Sequence, residues 1–264
     1  MKERLRLDLW LVEHGLAPTR EKAQALVMAG RVRVDGGPVT KPGAAVKEGA
    51  RVEIEPGPEH VGRGALKLAG ALETFTVNPR GRVAIDVGAS TGGFTETLLA
   101  RGATKVYAVD VGYGQLHESL RADTRVVVLE RLNARYMSAR EVPEPCSLAV
   151  MDVSFISVLK ILPALKALLS ADADAVVLVK PQFELGRIHV GRGGVVKEPS
   201  LHLQALRDVV WAAQREHGYA ICATCVSPIT GGEGNREFFL HLRPQGAGLS
   251  TSALDALLEK VVHT

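Results

Sequence analysis

The feature that most constrains this chain is the stretch Val83-Ala-Ile-Asp-Val-Gly-Ala-Ser-Thr-Gly-Gly-Phe94. An apolar run ends in an acid and opens into a turn of glycines and small residues, and Thr95-Glu-Thr-Leu-Leu99 then continues in helix-compatible residues. That order predicts a buried parallel strand feeding a helix through a turn where a ligand approaches the backbone. Val106-Tyr-Ala-Val-Asp110 repeats the pattern about twenty residues on. In open α/β sheets ligands sit at the carboxyl ends of the strands, and an acid closing the second strand commonly binds ribose hydroxyls. A nucleoside-containing cofactor is the expectation.

The glycine spacing selects among such cofactors. A dinucleotide fingerprint, G-x-G-x-x-G, brings a pyrophosphate to a helix N-terminus. Here Asp86 directly precedes the loop, and only Gly88 stands ahead of Ala89, Ser90 and Thr91 before Gly92 and Gly93. A carboxylate in that place repels a pyrophosphate but accepts a hydrogen bond from a cationic amine. The reading is therefore S-adenosylmethionine rather than NAD. Gly88, Ala89, Ser90, Gly92, Gly93 and Phe94 are expected along its amino-acid portion, with Asp86 near the amine and Asp110 on the ribose. Leu132 and Asn133, in the turn after a third strand, are expected beside adenine, and Asp152 is expected to touch the cofactor too.

Strand patterns at 82–87, 104–109, 125–130, 147–152, 174–180, 219–226 and 236–243, with helices between most of them, predict a seven-stranded doubly wound α/β sheet of Rossmann-like type. The last strand is expected antiparallel. Asp152 closes Ser147-Leu-Ala-Val-Met151, Lys180 closes Ala175-Val-Val-Leu-Val179, and Glu237 opens Phe238-Phe-Leu-His-Leu242. If the last strand is antiparallel, its start shares a rim with the ends of the parallel ones. An acid, a lysine and a second acid then meet beside the cofactor loop.

Glu55-Pro-Gly-Pro-Glu-His60 breaks the pattern and reads as a linker. The expected layout is a small domain over 1–58, a linker over 59–63, the sheet domain over 64–246 and a C-terminal helical tail over 247–264. In the first part Leu7, Trp10 and Leu11 recur at helical spacing, with Gly15 placed to end that helix. Thr19 is placed to cap a second helix carrying Ala23, Leu26 and Val27, which Gly30 ends. Arg31-Val-Arg-Val34, the turn Asp35-Gly36 and Val52-Glu-Ile54 read as short strands around a hairpin. Arg4, Arg6, Arg20, Lys22, Arg31, Arg33, Lys41 and Lys47 crowd this module, with Arg20 and Lys22 at a helix start that favours phosphate. Arg6-Leu-Asp8, Gly15-Leu16, Thr19-Arg20, Ala23 and Gly30-Arg-Val-Arg-Val-Asp-Gly36 resemble the S4 RNA-binding domain, with Thr19 where that family usually has serine. The resemblance implies an α+β fold that binds RNA, with Arg4, Arg6, Arg20, Lys22, Arg31, Arg33 and Lys41 as its contacts.

The remaining motifs extend the resemblance over nearly the whole chain. They are His60-Val-Gly-Arg-Gly-Ala-Leu-Lys-Leu68, Asp86-Val-Gly-Ala-Ser-Thr-Gly-Gly-Phe94, Asp110-Val-Gly-Tyr-Gly-Gln-Leu116, Asp152-Val-Ser-Phe-Ile-Ser157, Val179-Lys-Pro-Gln-Phe183, Val190-Gly-Arg-Gly-Gly-Val195 and Ser227-Pro-Ile-Thr-Gly231. Together they resemble the hemolysin-A (TlyA-type) ribosomal RNA methyltransferases, which join an S4 domain to an FtsJ-type 2'-O-methyltransferase domain. Gly62 departs from the usual serine. The resemblance implies methyl transfer to a ribose 2'-hydroxyl of ribosomal RNA, on a cytidine, and a Lys-Asp-Lys-Glu set falling on Lys67, Asp152, Lys180 and Glu237. Lys180 would accept or stabilise the hydroxyl proton, the acids would orient both lysines, and Lys67 would position the ribose or a phosphate. Gly186-Arg-Ile-His-Val-Gly-Arg-Gly-Gly194 has the glycine content of a mobile flap.

Composition bounds the function classes. A net charge of +3 places any RNA affinity in local clusters. No apolar run nears a membrane span, and residues 1–10 lack a continuous apolar block, so a cytoplasmic protein without membrane contact is expected. Cys222 and Cys225 fall on opposite faces of one expected strand, without further ligands, so no metal site is expected. No segment points to an obligate protein partner. A cytolysin would need amphipathic or spanning segments, and a non-catalytic assembly factor would have lost one of the four rim residues; neither pattern is present.

Overall fold

A computed structural model describes residues 5–28, 30–47, 49–55, 60–191 and 193–264, and its contacts divide the chain into two units, Met1–Glu59 and His60–Thr264. Arg4 and part of the expected linker lie outside the described residues.

The smaller unit runs β1 (Leu5–Arg6), α1 (Leu7–Glu13), α2 (Arg20–Met28), β2 (Val32–Val34), β3 (Gly37–Val39), β4 (Ala45–Val46) and β5 (Val52–Ile54). Gly15 and Gly30 stand after the two helices at φ +69° and +70°, a conformation that glycine adopts without strain. Thr19 Oγ1 accepts the Lys22 N–H at 3.2 Å, so the hydroxyl cap is made. Strand β2 sits between β3 and β5 with antiparallel neighbours, and β1 pairs with β4. Leu7, Leu11, Ala23, Val27, Val32 and Val46 form the core beneath them.

The larger unit opens with α3 (Gly64–Thr74) and continues β6 (Val83–Val87), α4 (Gly93–Ala100), β7 (Lys105–Val109), α5 (Glu118–Arg121), β8 (Val126–Leu129), β9 (Cys146–Met151) and α6 (Leu162–Lys166). It ends with β10 (Leu169–Val179), α7 (Pro181–Glu184), α8 (Pro199–Arg215), β11 (Ala220–Val226), β12 (Phe238–Arg243) and α9 (Thr251–His263). The seven strands order as β11-β12-β10-β9-β6-β7-β8. Strand β12 is antiparallel to both neighbours, and β10, β9, β6, β7 and β8 are parallel, as the sequence pattern predicts.

Alternation along each strand separates two cores. Ile85, Val87, Val177 and Val179 face α6, α8 and α9, whereas Ala84, Val176 and Leu178 face α3, α4 and α5. The C-terminal helix α9 buries Leu254, Leu258 and Val262 in the first of these, so the segment expected to be a tail packs into the sheet domain. Strand β10 starts earlier than its apolar run, with a register shift between Leu169 and Asp174, and stops at Val179 because Pro181 opens α7. Among the described residues no helix is long and apolar enough to cross a membrane, and no His/Cys/Asp/Glu group is placed to hold a metal.

Candidate active site

Four strands bring the expected polar residues to the carboxyl end of the sheet. Asp86 is the penultimate residue of β6, Asp110 follows β7, Asp152 follows β9 and Lys180 follows β10. The antiparallel register pairs Val179 with Phe238, so Glu237 enters β12 at the level where Lys180 leaves β10. Lys67, one turn into α3, is buried and donates to Glu237 Oε2 at 2.6 Å. Lys180 Nζ lies 2.6 Å from Asp152 Oδ1 and donates to Ser154 Oγ at 2.9 Å. All four residues thus stand on one rim, as two lysine–carboxylate pairs.

The Lys180–Asp152 pair is close but not saturated. The Lys180–Asp152 contact lacks hydrogen-bond alignment, and Asp152 Oδ1 has no other partner; neither has Gln182 Oε1 on α7. Glu184, also on α7, accepts the Val158 N–H at 3.0 Å and ties the helix after Lys180 to the loop after Asp152. Burial pushes its carboxyl up. In that loop Phe155 is held at φ +65°, 90% exposed, with its ring 5.0 Å from Phe183. A strained, exposed aromatic packed near Lys180 through Phe183 is a surface for a planar group.

A cavity of about 510 Å³ opens beside this rim, within the ~300–1,000 Å³ typical of small-molecule sites. Of the expected cofactor contacts, Gly88, Ser90, Asp110, Leu132, Asn133 and Asp152 line it. The Asp110 carboxylate is fixed by the N–H groups of Ser90 (2.8 Å) and Gly112 (2.7 Å), and Asn133 Oδ1 caps the following turn at Arg135 N. Ser154, Gln115 and Ile156 also line it; they fall within the resembling motifs, but no periodicity assigns these loop residues a role.

Asp86, Ala89, Gly92, Gly93 and Phe94 do not line the cavity. The Phe94 and Ala89 side chains pack in the core under α4. A Cβ on Gly92 would lie 2.2 Å from Leu120 Cδ1, and one on Gly93 2.8 Å from Ala65 N. These glycines admit neighbouring polypeptide, where the sequence pattern suggests a ligand. Gly88 does both: at φ +86° it faces the cavity, and a Cβ would fall 2.2 Å from the Asp152 carbonyl. Gly62 is matched to Thr91, whose Oγ1 would stand 2.7 Å from a Cβ there.

Asp86 is fully buried, with Oδ2 accepting from Thr95 Oγ1 at 2.7 Å and Oδ1 unpartnered. Burial raises its carboxyl to about 7, against the lowering effect of Thr95. Asp110 on the cavity wall and the orphaned Asp86 acceptor, two residues before the lining Gly88, fit a ligand that carries both a ribose and a cation.

The fold, the rim and the cavity agree with what the chain resembles. Residues 60–244 match the FtsJ-like methyltransferase model and residues 5–52 the S4 domain model. The chain belongs to the FtsJ-like methyltransferase family. It is 49% identical, over all of its length and 97% of the relative's, to the 16S/23S rRNA (cytidine-2'-O)-methyltransferase TlyA of Mycobacterium tuberculosis. It is 37% identical to Hemolysin A of Brachyspira hyodysenteriae, over 90% of this chain and 99% of that one. A solved Streptococcus thermophilus structure named as a hemolysin superposes with TM-score 0.74 at 40% identity, over 98% and 94% of the two chains. The FtsJ-like unit thus carries its two lysine–carboxylate pairs within a methyltransferase fold.

In the S4 unit the expected RNA contacts fall into separate groups. Arg31 donates to the Glu55 carbonyl and Arg33 to the Glu55 carboxylate, so both brace β5. Lys22 and Lys41 are exposed. Arg6 and Arg20 both reach Asp8.

Proposed function

We propose that this protein methylates a ribose 2'-hydroxyl in ribosomal RNA, with S-adenosylmethionine as donor, in the cytoplasm. The arrangement of Lys180, Asp152, Lys67 and Glu237 on one rim beside the cavity carries the reading. Bound S-adenosylmethionine would supply an electrophilic methyl on a sulfonium, and Asp110, Asp86 and the Gly88 loop are the residues that fit it. A ribose hydroxyl holds its proton tightly, so that proton must leave as the carbon–oxygen bond forms. The Lys180–Asp152 pair is the proton-accepting unit on this rim; Ser154 orients the amine, and the proton ends on the pair before passing to water. Lys67, fixed by Glu237, holds the ribose or its phosphate so that oxygen, methyl and leaving group lie in line. The name of the Mycobacterium tuberculosis relative, at 49% identity over the full chain, supports cytidine as the target and makes both subunit RNAs candidates. The S4 unit supports RNA capture through phosphate and shape.

Ribose-methylation mapping of rRNA from cells with and without this protein tests the reading. A 2'-O-methylcytidine that disappears, and returns with the gene, is the expected result; an unchanged map would contradict it. Membrane lysis, the activity named for the Brachyspira relative, is tested by leakage from liposomes, and none is expected.

A further inference from the structure

Asp8, in the first turn of α1, is a carboxylate with 0% side-chain exposure inside the smaller unit. Its Oδ1 accepts from Arg6 Nε (3.0 Å) and Leu9 N (3.1 Å). Its Oδ2 accepts from Arg6 Nη2 (2.9 Å), Arg20 Nε (3.1 Å) and Gln24 Nε2 (2.9 Å). The two guanidiniums it holds are half in solvent, at 49% and 50% side-chain exposure. Arg6 is gripped edge-on by two parallel bonds, which leaves Nη1 pointing away from the carboxylate. Its plane is backed by Gly43, where a Cβ would lie 3.4 Å from the guanidinium carbon. Arg20, the first residue of α2, bonds Asp8 through Nε and keeps its terminal nitrogens off that carboxylate.

We propose that Asp8 is a positioning residue for RNA binding: it locks Arg6 and Arg20 into one fork whose free N–H edges take a single phosphodiester of structured RNA. This rests on the reading that the S4 unit grips RNA, and it adds that geometry, not charge alone, sets the grip. A buried carboxylate beneath two arginines lowers the local positive charge, so as a purely electrostatic device it is counterproductive. Its value is in orientation. Two guanidiniums free on flexible stems lose rotamer entropy when they meet a phosphate, whereas two already held lose little. Asp8→Asn replaces one acceptor by a donor that faces other donors, which releases the fork while adding one unit of positive charge.

The sign of the effect separates orientation from charge. Full-length protein is titrated with deproteinised rRNA over a range of salt concentrations, for wild type, Asp8→Asn, Arg6→Lys and the Arg6→Ala/Arg20→Ala double variant. Arg6→Lys keeps the charge and the fold but cannot make the two-point contact, so it guards against a failure of Asp8→Asn to fold. Both single variants are expected to bind about fivefold or more weakly, with a salt slope shallower by roughly 1, the worth of one phosphate contact. Equal or tighter binding by Asp8→Asn, or wild-type affinity and slope in Arg6→Lys, would overturn the positioning role. Undiminished binding by the double alanine variant would instead remove the two arginines from RNA recognition altogether.

Discussion

The two ends of the same sheet handle buried charge in opposite ways. At the amino end, Asp174 on β10 has a 5%-exposed side chain. Its Oδ1 accepts from His241 Nε2 (2.8 Å) and Arg243 Nε (3.1 Å), and its Oδ2 from Arg82 Nη1 (2.6 Å). Those donors come from β12 and from the entry to β6, so one carboxylate ties three parts of the sheet. Burial alone would raise that carboxyl, but the hydrogen bonds from His241, Arg82 and Arg243 outweigh it and hold it well below the usual range. At the carboxyl end, Asp86 leaves an oxygen unpartnered and Asp152 Oδ1 has only the Lys180 ion pair, and burial wins at Asp86. Four non-glycine residues with positive φ, Ser90, Arg131, Phe155 and Glu233, also fall in loops at this end. A saturated network holds a sheet together; an unsaturated, strained one leaves valences for a ligand and a proton.

That contrast predicts separable defects. The largest is Asp174→Asn, which leaves the Arg82 and Arg243 guanidiniums and the His241 ring without their shared carboxylate and is expected to cost about 3 kcal/mol of stability, with methyl transfer intact at low temperature. Because the folded carboxyl is depressed, its contribution is present above the unfolded value near pH 4 and is lost as pH falls below it. Chemical denaturation at pH 7 and pH 3 checks this: the gap between the two proteins should be full at the first and only partly closed at the second, because the loss completes only as pH falls through the depressed folded value. Next is Gly88→Ala, whose Cβ would collide with the Asp152 carbonyl in a backbone conformation unsuited to it. Calorimetry with S-adenosylmethionine should show affinity lower by about 1–3 kcal/mol, the usual cost of overpacking.

The smallest is Asp86→Asn. A carboxyl raised to about 7 makes the native state less stable as pH climbs from about 4 to 7, the reverse of Asp174. The amide removes that slope, although its own unpartnered N–H group offsets much of the gain. A net stabilisation of about 1 kcal/mol above pH 7, with none at pH 4, is expected in thermal melts. Weaker binding of the methyl donor should accompany it.

What the sequence makes legible follows the same division. Strands that close on an acid or a lysine announce themselves, because a single charge ending an apolar run marks where a buried strand reaches the rim of its sheet. Asp110, Asp152 and Lys180 are readable that way, and Glu237 by opening an antiparallel strand at the same rim. Gly92 and Gly93 are crowded by Leu120 and Ala65, and glycine spacing records only that something comes close, not which neighbour it is. Ser154 and Gln115 lie in loops whose paths depend on contacts distant in sequence. Arg82, Asp174, His241 and Arg243 are each unremarkable in the chain, and only the β6–β9–β10–β12 order makes them a cluster. The two-residue strands β1 and β4 are too short for alternation to register.

The most direct test of the rim's chemistry is Lys180→Ala, assayed side by side for binding of S-adenosylmethionine and for methyl transfer to rRNA. Cofactor affinity within about twofold of wild type, with turnover down by at least about a hundredfold, is the predicted outcome for loss of a general acid–base group. Turnover near that of wild type would place the proton acceptor elsewhere and contradict the role given to the Lys180–Asp152 pair.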